Sequence, residues 1–222
     1  MIHVLIVESH DLVRAGLRRL LEECPDIQTI SEVSNGEAAL RFCREDAPDV
    51  VLLDLNLPGL SAFEITGRLQ RIGGSARVII LAPHAKSPYP TRLLDAGAMG
   101  YLTRDCEAEE LIDAIRSVRD GQRYISTEAA KQLALSMLPG TAESPFDDLS
   151  SRELEVMLKL TEGARVPDIA SMMFLSPKTV ATYKYRIYDK LGTRSEVDLL
   201  RMAMRHGLLE TTPAWRQPRD VE

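Results

Sequence analysis

The stretch DVVLLDLNLPG, residues 49–59, constrains the fold of this 222-residue chain more than any other. Its apolar residues run without a polar break into Asp54, which is typical of a strand buried on both faces. Pro58 and Gly59 then turn the chain, so Asp54 is predicted to lie at the mouth of a loop. Because an aspartate at a strand end is often only a turn former, its surroundings must decide whether it belongs to a site.

Short apolar strands alternate with amphipathic helices over the first ~120 residues. Strands are predicted at 2–7, 27–33, 49–54, 77–81 and 100–102, and helices at 11–23, 35–45, 63–70, 91–96 and 107–120. Parallel strands joined by right-handed crossovers form a sheet covered on both faces, and the flavodoxin-like five-stranded parallel sheet has the order 2-1-3-4-5. In that order the first and third strands are neighbours, so Glu8, Ser9 and Asp54 are expected to converge on one crevice.

Composition argues against several other classes of protein. The apolar runs are far shorter than the ~18 residues of a membrane span, and acidic residues come too early for a secretory signal. The cytoplasm is therefore the expected location, without a membrane partner. Cysteine and histidine are scattered without CxxC spacing, which predicts neither a disulfide framework nor a zinc site and makes the histidines incidental. The cysteines are Cys24, Cys43 and Cys106, and the histidines are His3, His10, His84 and His206.

The pattern changes after about residue 123, which divides the chain into an α/β domain at 1–123 and three further segments. Residues 124–147 are predicted to be a linker with a helix at 127–138, since LPGTAESPFDD is rich in proline, glycine, serine and acids. Residues 148–210 carry helical patterns only and are predicted to form an all-α domain of four helices. The remaining residues, 211–222, are predicted to be a flexible tail.

The four short helices resemble a helix-turn-helix unit, in which one helix enters the major groove of DNA. Ser176 followed by Pro177 is a strong start signal for the third helix, predicted at 178–191. Residues at helical spacing are predicted to face the core, namely Val180, Tyr183, Ile187 and Leu191. The opposite side is predicted to carry Lys178, Ala181, Thr182 and Tyr185.

Charge in this region is compatible with a DNA partner. The chain has a net charge of −6, yet residues 149–222 carry 12 basic and 10 acidic side chains. Small and polar side chains on the third helix are expected to reach base edges, and Lys184, Lys190 and Arg194 to contact phosphates. Any amphipathic surface helix also has a charged outer face, so this pattern alone leaves both interpretations open.

Nearly the whole chain resembles a NarL/FixJ-type response regulator, in which a two-component receiver domain precedes a LuxR-type helix-turn-helix domain. The segments LSSRELEVMLKLTEG and DIASMMFLSPKTVATYKYRIYDKLGTRS carry this resemblance, and SPYPTRLLDAGAMGYLTRD, GQRYIS and RHGL are most similar to the GacA/UvrY subgroup. The resemblance implies a phosphoprotein that is not an enzyme and that regulates transcription by binding promoter DNA as a homodimer. It also implies a sensor histidine kinase as a partner, and it adds Ser176 and Thr179 to the DNA-binding residues.

The receiver part departs from the family pattern in its pocket. Asp54 matches the phospho-acceptor, and Tyr101 matches the switch aromatic. Three positions differ from the family pattern. Ser9 is present where the family has an acidic residue, Ala82 where it has a serine or threonine, and Arg104 where it has a lysine. The resemblance implies Mg²⁺ on Glu8, Asp54 and Asn56, but the loss of a carboxylate at Ser9 weakens such a site.

These differences lead to the expectation of a regulator whose Asp54 is phosphorylated weakly or not at all. The planar fork of Arg104 suits a pair with the free carboxylate of Asp54. A conventional response regulator switched by phosphorylation of Asp54 is the alternative. Two other classes are an enzyme or ligand-binding module fused to a DNA-binding domain, and a protein that sequesters a partner without binding DNA. No nucleophile and base pair or glycine-rich phosphate loop follows any predicted strand, which argues against the enzyme.

Overall fold

The structure is a computed structural model that describes residues 1–72, 76–83, 89–136 and 145–205. The strands are β1 (Ile2–Val7), β2 (Ile27–Val33), β3 (Val50–Asp54), β4 (Arg77–Ala82), β5 (Gly100–Thr103) and β6 (Tyr124–Ile125). The first helices are α1 (Asp11–Glu22), α2 (Gly36–Glu45), α3 (Ala62–Ile72), α4 (Tyr89–Asp95), α5 (Ala108–Arg119) and α6 (Thr127–Ser136). The C-terminal part contains α7 (Ser151–Thr161), α8 (Val166–Met172), α9 (Pro177–Leu191) and α10 (Glu196–Arg205). The bounds given in the sequence analysis agree with these to within two residues, apart from the end of the helix predicted at 127–138, which lies outside the described residues. Strand β6 was not predicted.

The sheet is parallel and has six strands in the order β2-β1-β3-β4-β5-β6. The order of the first five strands is the predicted one, but the count of five is wrong. The sixth strand is only two residues long, which is too short to carry a periodic signal, and it lies in the predicted linker. Hydrogen bonds from Tyr124 N to Met99 O and from Ser126 N to Tyr101 O attach it to the edge of β5.

Apolar clusters cover both faces of the sheet. Alternate residues of β3 point to opposite sides, so that Val51 and Leu53 join one cluster and Val50 and Leu52 join the other. All of β3 is buried, as the continuous apolar run predicts. The strand therefore carries Asp54 to the C-terminal edge of the sheet, between the ends of β1 and β4.

A third apolar cluster holds the helical part together. Ser150 and Glu153 form a capping box at the start of α7, and Gly192 ends α9 in the left-handed conformation with φ 62°. On α9, Val180 and Ile187 are fully buried, as predicted from their spacing.

Several sequence expectations fall outside the described residues. These are His84, His206, the linker residues 137–144 and the predicted tail at 211–222. The boundaries at 123, 147 and 210 stay predictions. None of the helices in the described ranges is long and apolar enough to cross a membrane.

Candidate functional site

Two buried carboxylates meet where β1 and β3 end. Asp54 is the last residue of β3 and is 1% exposed, and Glu8 follows β1 and is 2% exposed. The parallel pairing of β1 with β3 brings the two chain ends together, because Val7 lies opposite Leu53. Two negative charges in one buried pocket need a positive partner, since burial of an unpaired charge is costly.

Arg104, which follows β5, supplies that partner. Its Nη2 atom donates a hydrogen bond to Glu8 Oε2 at 2.9 Å and lies 2.6 Å from Asp54 Oδ1. The pair between Arg104 and Asp54 that the sequence predicts is thus present. The contact with Asp54 is ionic without the alignment of a hydrogen bond, because no donor among the described residues reaches either Asp54 oxygen with hydrogen-bond geometry.

The groups around Asp54 shift the pKa of its carboxyl in opposite directions. Burial raises the pKa of its carboxyl, and the neighbouring carboxylate of Glu8 raises the pKa further. Arg104 lowers the pKa, but the net pKa stays above the ordinary value. The negative charge of Asp54 therefore depends on Arg104, whose departure would leave two carboxylates facing each other.

His10 is a pocket residue that the sequence analysis missed. Glu8 Oε1 accepts a hydrogen bond from the backbone N of His10 at 2.7 Å and lies 2.7 Å from its Nδ1. Ser9 Oγ lies 3.5 Å from the same Nδ1. The available signal was position alone, because His10 follows Glu8 by two residues in a loop at the C-terminal edge of the sheet.

The residues present fit Mg²⁺ poorly. Ligand atoms of Glu8, His10 and Asp54 lie within 4.8 Å of one another, so the cluster is compact enough for a cation. Mg²⁺ prefers six oxygen ligands at 2.0–2.1 Å. Here one of the three candidate ligands is an imidazole, and Arg104 lies against both carboxylates. Of the predicted ligands, Glu8 and Asp54 come together. Asn56 is exposed on the loop after β3, and its role as a ligand stays a prediction.

Ala82 and Tyr101 complete the predicted pocket. The methyl group of Ala82 is fully buried and offers no donor to an incoming oxyanion, while its backbone O accepts a hydrogen bond from Arg104 N at 2.8 Å. That bond fixes the start of the loop from which Arg104 reaches the carboxylates. Tyr101 is fully buried in the sheet core, and its assignment as a switch aromatic stays a prediction.

A second candidate surface is the outer face of α9. Lys178, Thr182, Tyr185 and Arg186 are exposed, with Tyr185 73% exposed, and Ala181 is half-buried. Arg186 was missed in the sequence analysis, although it lies one turn beyond Thr182 and therefore on the same face. At the start of the helix, Ser176 Oγ accepts a hydrogen bond from Thr179 N at 3.0 Å, which gives these two residues a capping role.

Lys184 and Lys190, two of the predicted phosphate contacts, have partners inside the protein. Lys190 Nζ donates to Asp148 O at 3.0 Å and to Glu153 Oε2 at 2.6 Å. Lys184 Nζ donates to Glu196 Oε1 at 2.6 Å. Arg194 is exposed and makes no ion pair within the described ranges. The phosphate role of both lysines stays a prediction, and the structure adds a structural role.

Replacing Lys190 by alanine should destabilise the helical part. Glu153 is 3% exposed, and its carboxylate also accepts a hydrogen bond from Ser150 N at 2.8 Å. Removing the ammonium leaves a buried acceptor with one partner fewer, which should lower the free energy of unfolding by about 1–3 kcal/mol. Urea denaturation at pH 7 measures this loss. Arg194→Ala, a change at an exposed residue, should cost less than about 0.5 kcal/mol.

The loss should also depend on pH. Burial raises the pKa of Glu153, but Lys190 and Ser150 lower it more, so the net pKa is below the ordinary value. A carboxyl with a lowered pKa contributes stability above its unfolded value of about 4.3, and that contribution disappears as the pH falls through the folded value. The difference between wild type and Lys190→Ala should therefore shrink in acid. An equal difference at pH 7 and pH 3 would contradict this role of the ion pair.

Comparison with known proteins assigns a family to each part of the chain. Residues 4–116 match the family described as response regulator receiver domain. Residues 147–203 match the family described as bacterial regulatory proteins, luxR family. Response regulator UvrY of Escherichia coli K12 is 46% identical over 209 residues, or 94% of this chain and 96% of that protein. Response regulator GacA of Pseudomonas aeruginosa PAO1 is 44% identical over 211 residues, or 95% of this chain and 99% of that protein.

Solved structures agree with this similarity. The response regulator ChrA of a heme-sensing two-component system is 32% identical, with a TM-score of 0.53 over 94% of this chain and 98% of that chain. The response regulator RcsB in complex with DNA has a TM-score of 0.57 over 91% and 98% of the two chains. Its identity of 22% indicates a common fold.

Proposed function

Because the chain belongs to the two-component response regulators with a LuxR-type DNA-binding domain, we propose that it regulates transcription by placing α9 in the major groove of promoter DNA. We also propose that its receiver pocket supports phosphorylation of Asp54 weakly or not at all. The family consists of regulators, so no catalytic activity is assigned to the chain. Binding to chromosomal DNA agrees with the cytoplasmic location expected from the sequence.

The observation that carries the DNA-binding proposal is the exposed outer face of α9. Tyr185 offers a hydroxyl group that suits base edges, and Arg186 offers the planar fork that suits guanine. Thr182 Oγ1 donates to Lys178 O at 2.9 Å and keeps its lone pairs to accept from a base edge. Lys178 at the start of the helix and Arg194 beyond its end are exposed cations without ion pairs among the described residues, and we assign them to phosphates. Ala181 permits close approach or contact with a thymine methyl group.

Base and phosphate contacts should respond differently to mutation. Thr182→Ala should cost roughly 1–3 kcal/mol on a specific duplex and little on a random one, because the hydroxyl reads sequence. Lys178→Ala should weaken binding to both duplexes alike and reduce the slope of log K against log salt by about one unit. Salt titrations of the full-length variants on both duplexes measure these effects.

Lys131→Ala is the matched control, since Lys131 is an exposed lysine on α6, outside the helix-turn-helix unit. It should change neither the affinity nor the salt slope. Identical profiles for Thr182→Ala and Lys178→Ala would contradict the proposed orientation of α9. A wild-type protein that binds no duplex from genomic fragments would favour the alternative in which the chain sequesters a protein partner.

The proposal of weak phosphorylation rests on the ion pairs in the pocket. Arg104 is already paired with both Glu8 and Asp54, and Ala82 has no hydroxyl with which to hold a phosphoryl oxygen. The alternative, conventional switching by a sensor histidine kinase, is favoured by the position of Asp54 at the C-terminal end of the central strand. It requires Arg104 to leave Asp54 before the carboxylate can attack.

A homodimer is the assembly that we propose on DNA, because two-fold symmetric proteins match two-fold symmetric sites. Support comes from α10, on which Val197 is 55% and Met204 is 41% exposed. Leu199 and Ala203 on the same helix are fully buried within the domain. The apolar surface of α10 is thus divided between the core of its own domain and a side that is open to a partner.

A further inference from the structure

The pocket at the ends of β1 and β3 brings together three side chains that can each bind a metal ion. One ligand atom from each of Glu8, His10 and Asp54 lies within 4.8 Å of the others. Each ligand of a tetrahedral zinc site is roughly 2.0–2.2 Å from the metal, which places any two of them about 3.3–3.6 Å apart. The 2.7 Å between Glu8 Oε1 and His10 Nδ1 and the limit of 4.8 Å lie on either side of that spacing. Small rotations of these side chains would bring all three onto one ion.

The carboxylate of Asp54 points to a cation independently of this spacing. Asp54 is 1% exposed, and no described residue donates a hydrogen bond with good geometry to either of its oxygens. Its partner is Arg104 Nη2, in ionic contact with Oδ1. An ionised carboxylate offers about four lone-pair positions, so this contact leaves most of the coordinating capacity of Asp54 unused. Acidic clusters on a protein surface are satisfied by water, whereas Asp54 and Glu8 are both buried.

His10 determines which metal suits the pocket. Its Nδ1 faces Glu8 Oε1, and its side chain is 63% exposed. The ring can therefore turn onto an ion without disturbing the core. Imidazole nitrogen is a preferred ligand of zinc and of neighbouring transition metals, whereas Mg²⁺ is held by oxygen. The imidazole thus favours Zn²⁺ over Mg²⁺.

The number and type of the other ligands agree with that preference. A zinc ion with an open position takes three protein ligands and a water molecule, and the pocket supplies two carboxylates and one imidazole. The second acidic residue that the family resemblance implies for Mg²⁺ is replaced by Ser9, whose hydroxyl lies 3.5 Å from His10 Nδ1. The change at Ser9 removes an anionic oxygen ligand and leaves His10 as the third ligand.

Arg104 is a competing cation that belongs to the protein. Its Nη2 lies 2.9 Å from Glu8 Oε2 and 2.6 Å from Asp54 Oδ1. Its side chain is 31% exposed, so the guanidinium can move outward into water. A dication attracts both carboxylates more strongly than a singly charged guanidinium, because the Coulomb energy scales with the charge. Zinc and Arg104 therefore compete for the same two carboxylates.

We propose that Glu8, His10 and Asp54 form a binding site for Zn²⁺, which the ion enters by displacing Arg104 from the two carboxylates. The site differs in metal and in ligands from the Mg²⁺ site that the family resemblance implies, because one ligand is an imidazole. It rests on the pocket alone, and neither on DNA binding nor on phosphorylation. Since the ion takes Asp54 as a ligand, the receiver part responds to a metal ion through the carboxylate that matches the phospho-acceptor.

Isothermal titration calorimetry of the full-length protein with zinc chloride and with magnesium chloride at pH 7 tests the site. The wild type should bind one zinc ion per chain, at least about 100-fold more tightly than Mg²⁺, because the imidazole suits zinc. His10→Asn removes the imidazole at an exposed position, so the fold should be kept. Loss of even an outer-shell partner typically costs about 10–100-fold in metal affinity, and loss of the ligand His10 should cost at least as much.

His3→Gln is the matched control. His3 lies on β1, but near the end of the strand opposite to Glu8, and glutamine keeps a donor for Ser31 Oγ, which lies 3.1 Å from His3 Nε2. This variant should bind zinc with the wild-type affinity. Circular dichroism checks that each variant is folded.

His10→Asp distinguishes an imidazole site from a pocket that attracts cations by charge alone. A third carboxylate in place of the nitrogen ligand should lower the ratio of zinc affinity to magnesium affinity by at least about tenfold, because oxygen suits Mg²⁺ and the ligand preferred by zinc is lost. A pocket that acts by charge alone would bind both ions more tightly and keep the ratio.

Arg104→Gln tests the displacement. Zinc should bind this variant at least about tenfold more tightly than the wild type, because the charge that competes for both carboxylates is removed. An affinity equal to that of the wild type would rule out the competition. Zinc binding that is unchanged in His10→Asn, a wild type that binds Mg²⁺ as tightly as Zn²⁺, or an unchanged ratio in His10→Asp would overturn the site. None of these outcomes depends on whether the protein binds DNA.

Discussion

After incubation with acetyl phosphate and Mg²⁺, we expect intact-mass spectra of the wild-type protein to show phosphate on a small fraction of the chains. The triple variant Ser9→Asp/Ala82→Thr/Arg104→Lys should instead gain close to one phosphate per chain. Phosphoryl transfer depends on positioning and on neutralisation of charge at the transferred group. Each of the three wild-type residues removes one such element from the pocket.

The expected difference in rate is large. Removing one preorganised donor from an active site costs about 10²–10³ in rate in well-studied enzymes, and Ala82 lacks such a donor altogether. Arg104 adds a ground-state cost, because its guanidinium lies 2.6 Å from Oδ1 of the carboxylate that would have to attack. Lysine at this position would supply a single ammonium on a flexible stem, which can follow a phosphoryl oxygen. We therefore expect the initial rates to differ by at least about 10²-fold.

Two controls identify the site and the dominant residue. Adding Asp54→Asn to the triple variant should abolish the gain in mass. Arg104→Lys alone should recover only part of the rate, because Ser9 and Ala82 remain. A wild type that reaches one phosphate per chain as fast as the triple variant would rule out the weak-phosphorylation proposal and favour the conventional switch.

Local sequence patterns were sufficient for most of the fold and for part of the pocket. The continuous apolar run into Asp54 predicted the central strand, because a short run of this kind that ends at turn residues is typical of a strand buried on both faces. The order of the first five strands was predicted as that of the flavodoxin-like fold, the common five-stranded arrangement of parallel strands with right-handed crossovers. The pairing of Arg104 with Asp54 followed from the chemistry of a planar cation beside a free carboxylate, once both positions were assigned to one edge of the sheet.

The features that were missed depend on contacts between residues far apart in sequence or on very short elements. Strand β6 has two residues and is held only by its bonds to β5. The pair of Lys190 with Glu153 joins residues 37 apart, and that of Arg152 with Glu64 joins residues 88 apart. Helical periodicity identifies the exposed face of a helix, but it does not reveal which exposed charge finds a partner in another element. His10 is a different case, because it lies only two residues from Glu8 and the conformation of the loop brings its ring back onto that carboxylate.

Replacing Ile187 by alanine should have the largest effect on stability among single changes on α9. The side chain of Ile187 is fully buried in the core of the helical part, with 0% of its surface exposed to solvent. Truncating a buried isoleucine to alanine typically lowers the free energy of unfolding by 2–5 kcal/mol, since both the buried methyl groups and the packing around them are lost. The milder change Ile187→Val should cost about 0.5–1.5 kcal/mol.

Tyr185→Ala is the matched variant on the opposite face of the same helix. The Tyr185 side chain is 73% exposed, so its removal should change the free energy of unfolding by less than about 0.5 kcal/mol. The affinity of the variant for a specific duplex should fall roughly tenfold, which corresponds to about 1.4 kcal/mol. Hydrogen exchange of peptides from α7 and α9 measures the stability of the helical part within the full chain, and fluorescence anisotropy measures DNA binding. If Tyr185→Ala destabilised α9 as much as Ile187→Ala, the two faces would be wrongly assigned, because a side chain that reads DNA must be dispensable for folding.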